Sequence, residues 1–469
     1  MSFAEARRIE ACRTSQRVKM VRALSLVAFI HSVTGTPAVR DALAFGLALA
    51  ENEGFSTQNH ADDLYGIYRF GTGKRTIGLF GHCDVVPVRE DEWETTSPFS
   101  PKIIGDNLFG RGVYDDKAGI LSLFFGLKAL KDLNIPLHSS FVGFLGMHEE
   151  AGGMPDVQNF IRRYGCPDVS LVADCDYPFP RAERSAAKIR LDFGKLSSVI
   201  DFRAGTMANA VPGFAEILLP LNGKTDILTL LPKPNYIAIK QRMEAGQPCY
   251  AVSAVGITAH AGHPSGGVSA IARLFSFLLS ADVLPPADRT VFRNALATQT
   301  DFCGSFLWQG EKDDGKKYGL TCVSGIAGLT DGKELCLTYD TRFDVSLNTD
   351  AFADFFLKKA HTLYGASGEI EVKRNGYRIP ENDPYAAALL KTYHQAGYKG
   401  EPYDAGGNTY SCYLSRSFSI GLTAPFDLKM LGLSSGKGGA HQPDEGIPLS
   451  AYVDGIGLAA QMILTLDRV

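Results

Sequence analysis

Leu79-Phe80-Gly81-His82-Cys83-Asp84-Val85-Val86-Pro87 reads as a short apolar strand that runs out into a loop presenting His-x-Asp, with a proline closing the turn. Imidazole is a good ligand for zinc-like ions, and a nearby carboxylate can hold the ring in one tautomer. Alone the pattern is common; four later segments give it weight. Gly110-Arg111-Gly112-Val113-Tyr114-Asp115-Asp116-Lys117-Ala118-Gly119 puts two carboxylates in a Gly-rich loop ahead of an apolar helix. There either aspartate can be a ligand or a plain N-cap. Phe141-Val142-Gly143-Phe144-Leu145-Gly146-Met147-His148-Glu149-Glu150 is a buried-type strand running directly into His-Glu-Glu. Val169-Ser170-Leu171-Val172-Ala173-Asp174-Cys175-Asp176 again ends an apolar strand in acids, and Gly439-Ala440-His441-Gln442-Pro443-Asp444-Glu445 sets a histidine in a Gly-rich loop.

Around these segments helix and strand alternate. The patterning predicts helices over 18–31, 41–52 and 118–133, and strands over 65–70, 76–80 and 139–147. This β/α rhythm is the signature of an α/β fold with a doubly wound, mainly parallel sheet. In open sheets of that kind ligands collect outside the carboxyl ends of the strands, so the strand-end acids and imidazoles should converge on one edge. Two histidines with three or more carboxylates suit a pair of divalent ions, one carboxylate bridging them.

Near Arg184 the character changes. Strands are expected over 188–193, 197–204, 250–257 and 334–342, with helices at 267–279 and 349–363. Polar or Pro-rich connectors fall at 231–236, 285–288 and 311–317. The chain of 469 residues exceeds a usual single core. It therefore divides into a first catalytic part over 1–185, an inserted α+β lid over 186–380, and a second catalytic part over 381–469.

Composition excludes several classes. With 47 basic and 51 acidic residues the formal charge is −4, which argues against nucleic acid or an anionic membrane as partner. The apolar run at 23–30 is too short to span a bilayer and follows many charges, unlike a secretory signal. Nine cysteines without a C-x-x-C pair fit neither a disulfide scaffold nor a cysteine metal site, and point to a reducing cytoplasm.

The ordered set GHCDVVP, GRGVYDDKAG, HEEAGG, ADCD and AHQPDE resembles the co-catalytic zinc peptidases and deacylases, the group of glutamate carboxypeptidase and acetylornithine deacetylase, and within it the PepV-type bacterial dipeptidases. The resemblance spans about Asn59 to Glu445. It implies two divalent ions, zinc first and manganese or cobalt as alternatives, one held by His82, Asp115 and Asp174 and the other by Asp115, Glu150 and His441. It makes Asp84 the residue that orients His82, Glu149 the general base acting on a water, and the Asp115–Asp116 peptide cis. On the insert it makes His260 a polariser of the scissile carbonyl, Asn209 a substrate contact, and Arg342 a carboxylate clamp, although Arg342 could simply pair with Asp340. Gly406 and Gly407 match a Gly-rich loop that offers backbone donors to the substrate carboxylate.

Two departures touch the substrate and leave the ligands alone. Asn408 and Cys412 stand where dipeptidases show a third glycine and an arginine, and Arg184-Ser185 departs from the usual Glu-Lys-Gly type of sequence. The insert has the length of a PepV-type lid whose extra lobe takes the place of a partner subunit. The expectation is thus a monomeric metal-dependent dipeptidase acting on dipeptides or short peptides, with a homodimer as the other assembly. An N-acyl amino acid deacylase using the same ions and base is the nearest rival, and a non-catalytic binding protein on this scaffold the remote one.

Overall fold

The computed structural model describes residues 3–222, 225–299, 301–308, 319–434 and 436–469; the connector expected at 311–317 lies outside them. The chain divides into two compact units, Met1–Glu183 with Arg378–Val469, and Arg184–Tyr377.

The first unit is built on a six-stranded sheet in the order Ser56–His60, Tyr65–Phe70, Ser140–Gly146, Thr76–His82, Val169–Cys175 and Ser417–Gly421. The last four pair in parallel, while Tyr65–Phe70 pairs antiparallel with both Ser56–His60 and Ser140–Gly146. The inner strands read as nearly continuous apolar runs because both faces are covered. Ile77, Leu79, Phe141 and Leu145 point into the core shared with helices Ala38–Asn52, Lys117–Asp132 and Leu449–Arg468. Phe80, Val142, Phe144 and Val172 point the other way, onto Val157 and Phe160 of helix Pro155–Tyr164 and onto Tyr410. Leu449–Arg468 is the one described helix long and apolar enough to cross a membrane, and most of it is buried in this core.

The first helix runs Phe3–Ala28, well ahead of the expected start at 18. Among the described side chains its opening half buries only Ile9, so no apolar stripe announces it, and an ion pair of Arg13 with Asp454 of helix Leu449–Arg468 ties it down instead. Ser56–His60 was invisible for a related reason: this edge strand buries none of its residues.

The second unit is an eight-stranded, wholly antiparallel sheet in the order Ile237–Glu244, Gln247–Val255, Phe214–Pro220, Asp201–Ala204, Thr321–Leu329, Glu334–Phe343, Ser185–Lys195 and Ser367–Arg374. Helices Ala270–Ala281, Pro286–Ala297 and Thr349–Tyr364 pack on it around Leu274, Phe292 and Phe356. The strand expected from 197 begins only at Asp201. Ser197 and Ser198 give their backbone and hydroxyl hydrogens to the buried Asp288 carboxylate, which bends the chain out of the sheet.

Candidate metal centre

Strands Thr76–His82, Ser140–Gly146 and Val169–Cys175 are parallel neighbours, so their carboxyl ends deliver His82, the His148-Glu149-Glu150 turn and Asp174 to one edge of the sheet. The loop ahead of helix Lys117–Asp132 adds Asp115, and the loop ahead of Gly446 adds His441. Two ligand-type groups result, His82 with Asp115 and Asp174, and Asp115 with Glu150 and His441, the atoms of each lying within 4.8 Å of one another. Asp115 belongs to both. Its Oδ1 is 3.3 Å from His82 Nε2 and its Oδ2 is 3.2 Å from His441 Nε2. Asp174 Oδ1 is 3.9 Å from His82 Nε2, and Glu150 Oε2 is 2.9 Å from His441 Nε2. The Asp115–Asp116 peptide is cis.

Two atoms at the heart of this cluster, His82 Nε2 and Asp115 Oδ1, are buried without a hydrogen-bond partner. Buried polar atoms are almost always satisfied, so such a pair facing each other marks a place where something else binds. Imidazole nitrogen and carboxylate oxygen form the donor set of zinc-like and manganese-like ions, so these residues fit divalent metal.

The electrostatics agree. Burial disfavours a charged His82, yet Asp115, Asp174 and Asp84 outweigh it and hold the ring's pKa well above 6.5. Burial likewise opposes charge on His441, but Glu150 and Asp115 push its pKa up to about 11. Burial raises Asp174 to about 7, with Asp115 and Glu150 adding to it against His82. Burial also works against ionised Asp115, but His441 and His82 bring its pKa far below the usual carboxylate range. Without cations, then, the cluster holds protons to offset its crowded carboxylates. That is the deficit a metal ion fills.

Glu149 and Asp84 part ways. Burial, reinforced by Asp174 and Glu150, lifts Glu149 well above the normal glutamate range. Burial pushes Asp84 up as well, but His82, the Thr34 hydroxyl and the Glu149 amide draw it below 3.8. The contrast leaves Glu149 the more basic of the two carboxylates and Asp84 the one favoured as an anion. The Asp84 side chain does more than the sequence implied. His82 Nδ1 lies 3.0 Å from the Asp84 carbonyl oxygen and 3.4 Å from its Oδ1. The carboxylate also accepts the backbone N–H groups of Glu149 and Glu150, both at 3.3 Å, and the Thr34 hydroxyl at 2.7 Å. It therefore holds the turn that carries both glutamates.

Asp116 occupies the N-cap position of helix Lys117–Asp132, but its side chain does not cap the helix. Its Oδ2 accepts the His82 backbone N–H at 2.9 Å. Gly119 one turn on makes room for it, since a Cβ there would stand 1.8 Å from Asp116 Oδ1.

Other supports lay outside the sequence reading. Asp156 accepts the N–H groups of Met147 and His148 and the Tyr410 hydroxyl, beneath the His-Glu-Glu turn. Glu183 accepts the Thr409 N–H at 2.9 Å and the hydroxyls of Thr409 and Ser419, both at 2.8 Å, fixing the end of the loop that carries Gly406 and Gly407.

The remaining candidates belong to the second unit. Asn209 and His260 lie on adjoining segments, Ala210 bridging His260 and Ala261 N–H donating to the Asn209 carbonyl at 2.8 Å. His260 is exposed, and its Nδ1 accepts the Gly262 N–H at 3.2 Å. Arg342 is buried against Asp340, Nε to Oδ1 at 2.8 Å and Nη2 to Oδ2 at 3.2 Å, the fork pairing that the sequence held out as the alternative to a clamp.

Comparison with known proteins follows the same lines. The model of peptidase family M20/M25/M40 matches residues 78–465. A protein of Bacillus subtilis strain 168 named "Putative dipeptidase YtjP" is 27% identical over 448 residues, covering 90% of this chain and 89% of its own. Human carnosine dipeptidase 1 superposes with a TM-score of 0.60 at 13% identity, covering 99% of this chain and 100% of that one. The dipeptidase Dug1p of Saccharomyces cerevisiae gives 0.59 at 14% identity, covering 99% of both.

Proposed function

Because this chain belongs to peptidase family M20/M25/M40, we propose that it is a metal-dependent dipeptidase that hydrolyses the peptide bond of dipeptides or short peptides. The observation that carries the reading is the pair of ligand groups sharing Asp115, with His82 Nε2 and Asp115 Oδ1 buried and unsatisfied between them. The name of the Bacillus subtilis relative, which is similar over nearly its whole length, supports dipeptides as the substrate class.

In this reading His82, Asp115 and Asp174 hold one ion and Asp115, Glu150 and His441 the other, with zinc the first choice for an imidazole and carboxylate set. Bound there, the ions supply Lewis acidity, lowering the pKa of water and polarising a carbonyl. The protein's own residues do the proton work. Glu149, its proton affinity raised by burial and by the neighbouring Asp174 and Glu150 carboxylates, acts in its ionised form, takes a proton from the attacking water and gives it to the leaving amine. Asp84 stays ionised, aims His82 and fixes the Glu149 backbone. Asn209, His260, Arg342, Gly406 and Gly407 keep the substrate-directed roles that the family resemblance implies.

Nine free cysteines support a reducing cytoplasmic setting. The eight-stranded sheet formed within one chain supports a monomer whose insert needs no partner strand.

The test is a substrate panel. Metal-loaded protein incubated with dipeptides and with N-acetyl amino acids should release amino acids from the dipeptides at the higher kcat/KM. Preferential release from the N-acetyl series would replace the dipeptidase with a deacylase. On the dipeptide series, His260→Ala should lower kcat with metal retained, and Arg342→Ala should chiefly raise KM for substrates with a free carboxylate.

A further inference from the structure

Arg111 and Glu445 form an ion pair that neither the ligand set nor the proton chemistry uses. Both are buried, at 3% and 0% exposure, with Arg111 Nη1 2.6 Å from Glu445 Oε2. Each side chain is planted in the other's loop. Glu445 comes from the loop that presents His441, yet its carboxylate is the anchor of the loop that presents Asp115. Oε1 accepts the N–H groups of Tyr114 and Asp115 at 2.9 and 3.0 Å, and Oε2 accepts that of Gly112 at 3.1 Å. Arg111 comes from the Asp115 loop, yet its Nη2 donates to the carbonyls of His441 and Gln442, both at 3.3 Å. The indole of Trp93 lies 5.4 Å from the guanidinium carbon. His441 and Asp444 both adopt left-handed backbone, at φ 62° and 53°, so the His441 loop is held in a shape its own residues do not favour.

A buried ion pair is weak evidence for stability, because desolvation offsets the attraction; its best-attested use is to fix one arrangement among several. We propose that Arg111 and Glu445 are positioning residues that lock the Asp115 and His441 loops in register, so that the Asp115–Glu150–His441 group is ready for its ion before that ion arrives. The inference rests on the two-ion reading above. The two residues act differently. Arg111 reaches the His441 side through its fork, while Glu445 holds the Asp115 backbone and so serves both ions.

This asymmetry sets the test. Arg111→Lys keeps the buried charge balanced, but a single ammonium nitrogen cannot stand both where Nη1 meets Glu445 and where Nη2 meets the His441 and Gln442 carbonyls. Supporting partners of metal ligands are worth about 10–100-fold in metal affinity. Zinc titrated into metal-free protein against a chromophoric chelator should show two binding events in the wild type. Arg111→Lys should weaken one event about 10–100-fold and leave the other unchanged. Glu445→Gln should weaken both. Unchanged affinities in Arg111→Lys, or an equal loss at both events, would overturn the inference. Fewer than two events in the wild type would instead remove the two-ion reading beneath it.

Discussion

Replacing Asp156 by alanine should be among the most damaging changes available outside the ligand set. Asp156 lies fully buried in the first turn of helix Pro155–Tyr164. Its Oδ2 accepts three hydrogens, from Met147 N at 3.0 Å, His148 N at 2.9 Å and the Tyr410 hydroxyl at 2.5 Å. Asp156→Ala strands all three donors. The half-buried His148 amide can be rehydrated, but Met147 and Tyr410 are buried and stay unpaired. At about 1–3 kcal/mol for each buried unsatisfied group, the loss is about 2–6 kcal/mol, centred near 4. Tyr410→Phe removes one donor and leaves the carboxylate its amide partners, so it should cost less, about 1.5–3 kcal/mol for a hydrogen bond to a charged group. The double variant should cost less than the sum, because the two groups share one bond. Urea unfolding followed by circular dichroism gives all three values, and turnover of a dipeptide in the same samples reports the Glu149 turn. An Asp156→Ala protein within about 1 kcal/mol of wild type, or strict additivity with Tyr410→Phe, would refute the claim that this carboxylate supports the turn.

Glu149→Gln should abolish turnover while elemental analysis finds metal near the wild-type level, whereas Glu150→Ala should lose metal; metal-free Glu149→Gln would exchange their roles. Metal loading near pH 7 should release protons, because His82 and His441 are held protonated without cations; titration calorimetry in buffers of different ionisation enthalpy measures this, and zero release would contradict it. The same shifts set a pH dependence. Both folded pKa values lie above the unfolded value near 6.5, so their stabilising contribution is complete below about pH 6.5 and is lost as pH rises through the folded values. Chelated protein should therefore unfold more easily at pH 9 than at pH 6.5 and metal-loaded protein should not, which thermal melts at the two pH values decide.

The sheet was legible because parallel strands buried on both faces leave unbroken apolar runs such as Ser140–Gly146, and the residue that follows each run falls at the ligand-bearing edge. The polar edge strand Ser56–His60 and the charged start of helix Phe3–Ala28 were not, since neither carries the periodicity that burial imposes. At the site, His82, Glu149, Glu150 and Asp174 stood out as acids and imidazoles at the ends of apolar segments, and Asp115 and His441 as ligand-type residues in Gly-rich loops. The carboxylates behind them did not. Asp116 reads as a helix cap and nothing local singles out Asp156, Glu183 or Glu445, because what makes each one special is the donors the fold brings to it: the His82 amide for Asp116, the Tyr410 hydroxyl for Asp156, Thr409 and Ser419 for Glu183, and the amides of Gly112, Tyr114 and Asp115 for Glu445. Glu445 binds the amide of Asp115 from 330 positions away. No local pattern records that pairing; only the folded sheet brings the loops together.

Five side chains from five strand-end and loop segments are proposed to make one two-ion centre. Crystals grown with zinc and measured on both sides of the zinc absorption edge test it most directly. Two anomalous peaks are expected, one contacting His82, Asp115 and Asp174 and the other contacting Asp115, Glu150 and His441. A single peak, or none among these residues, would contradict it.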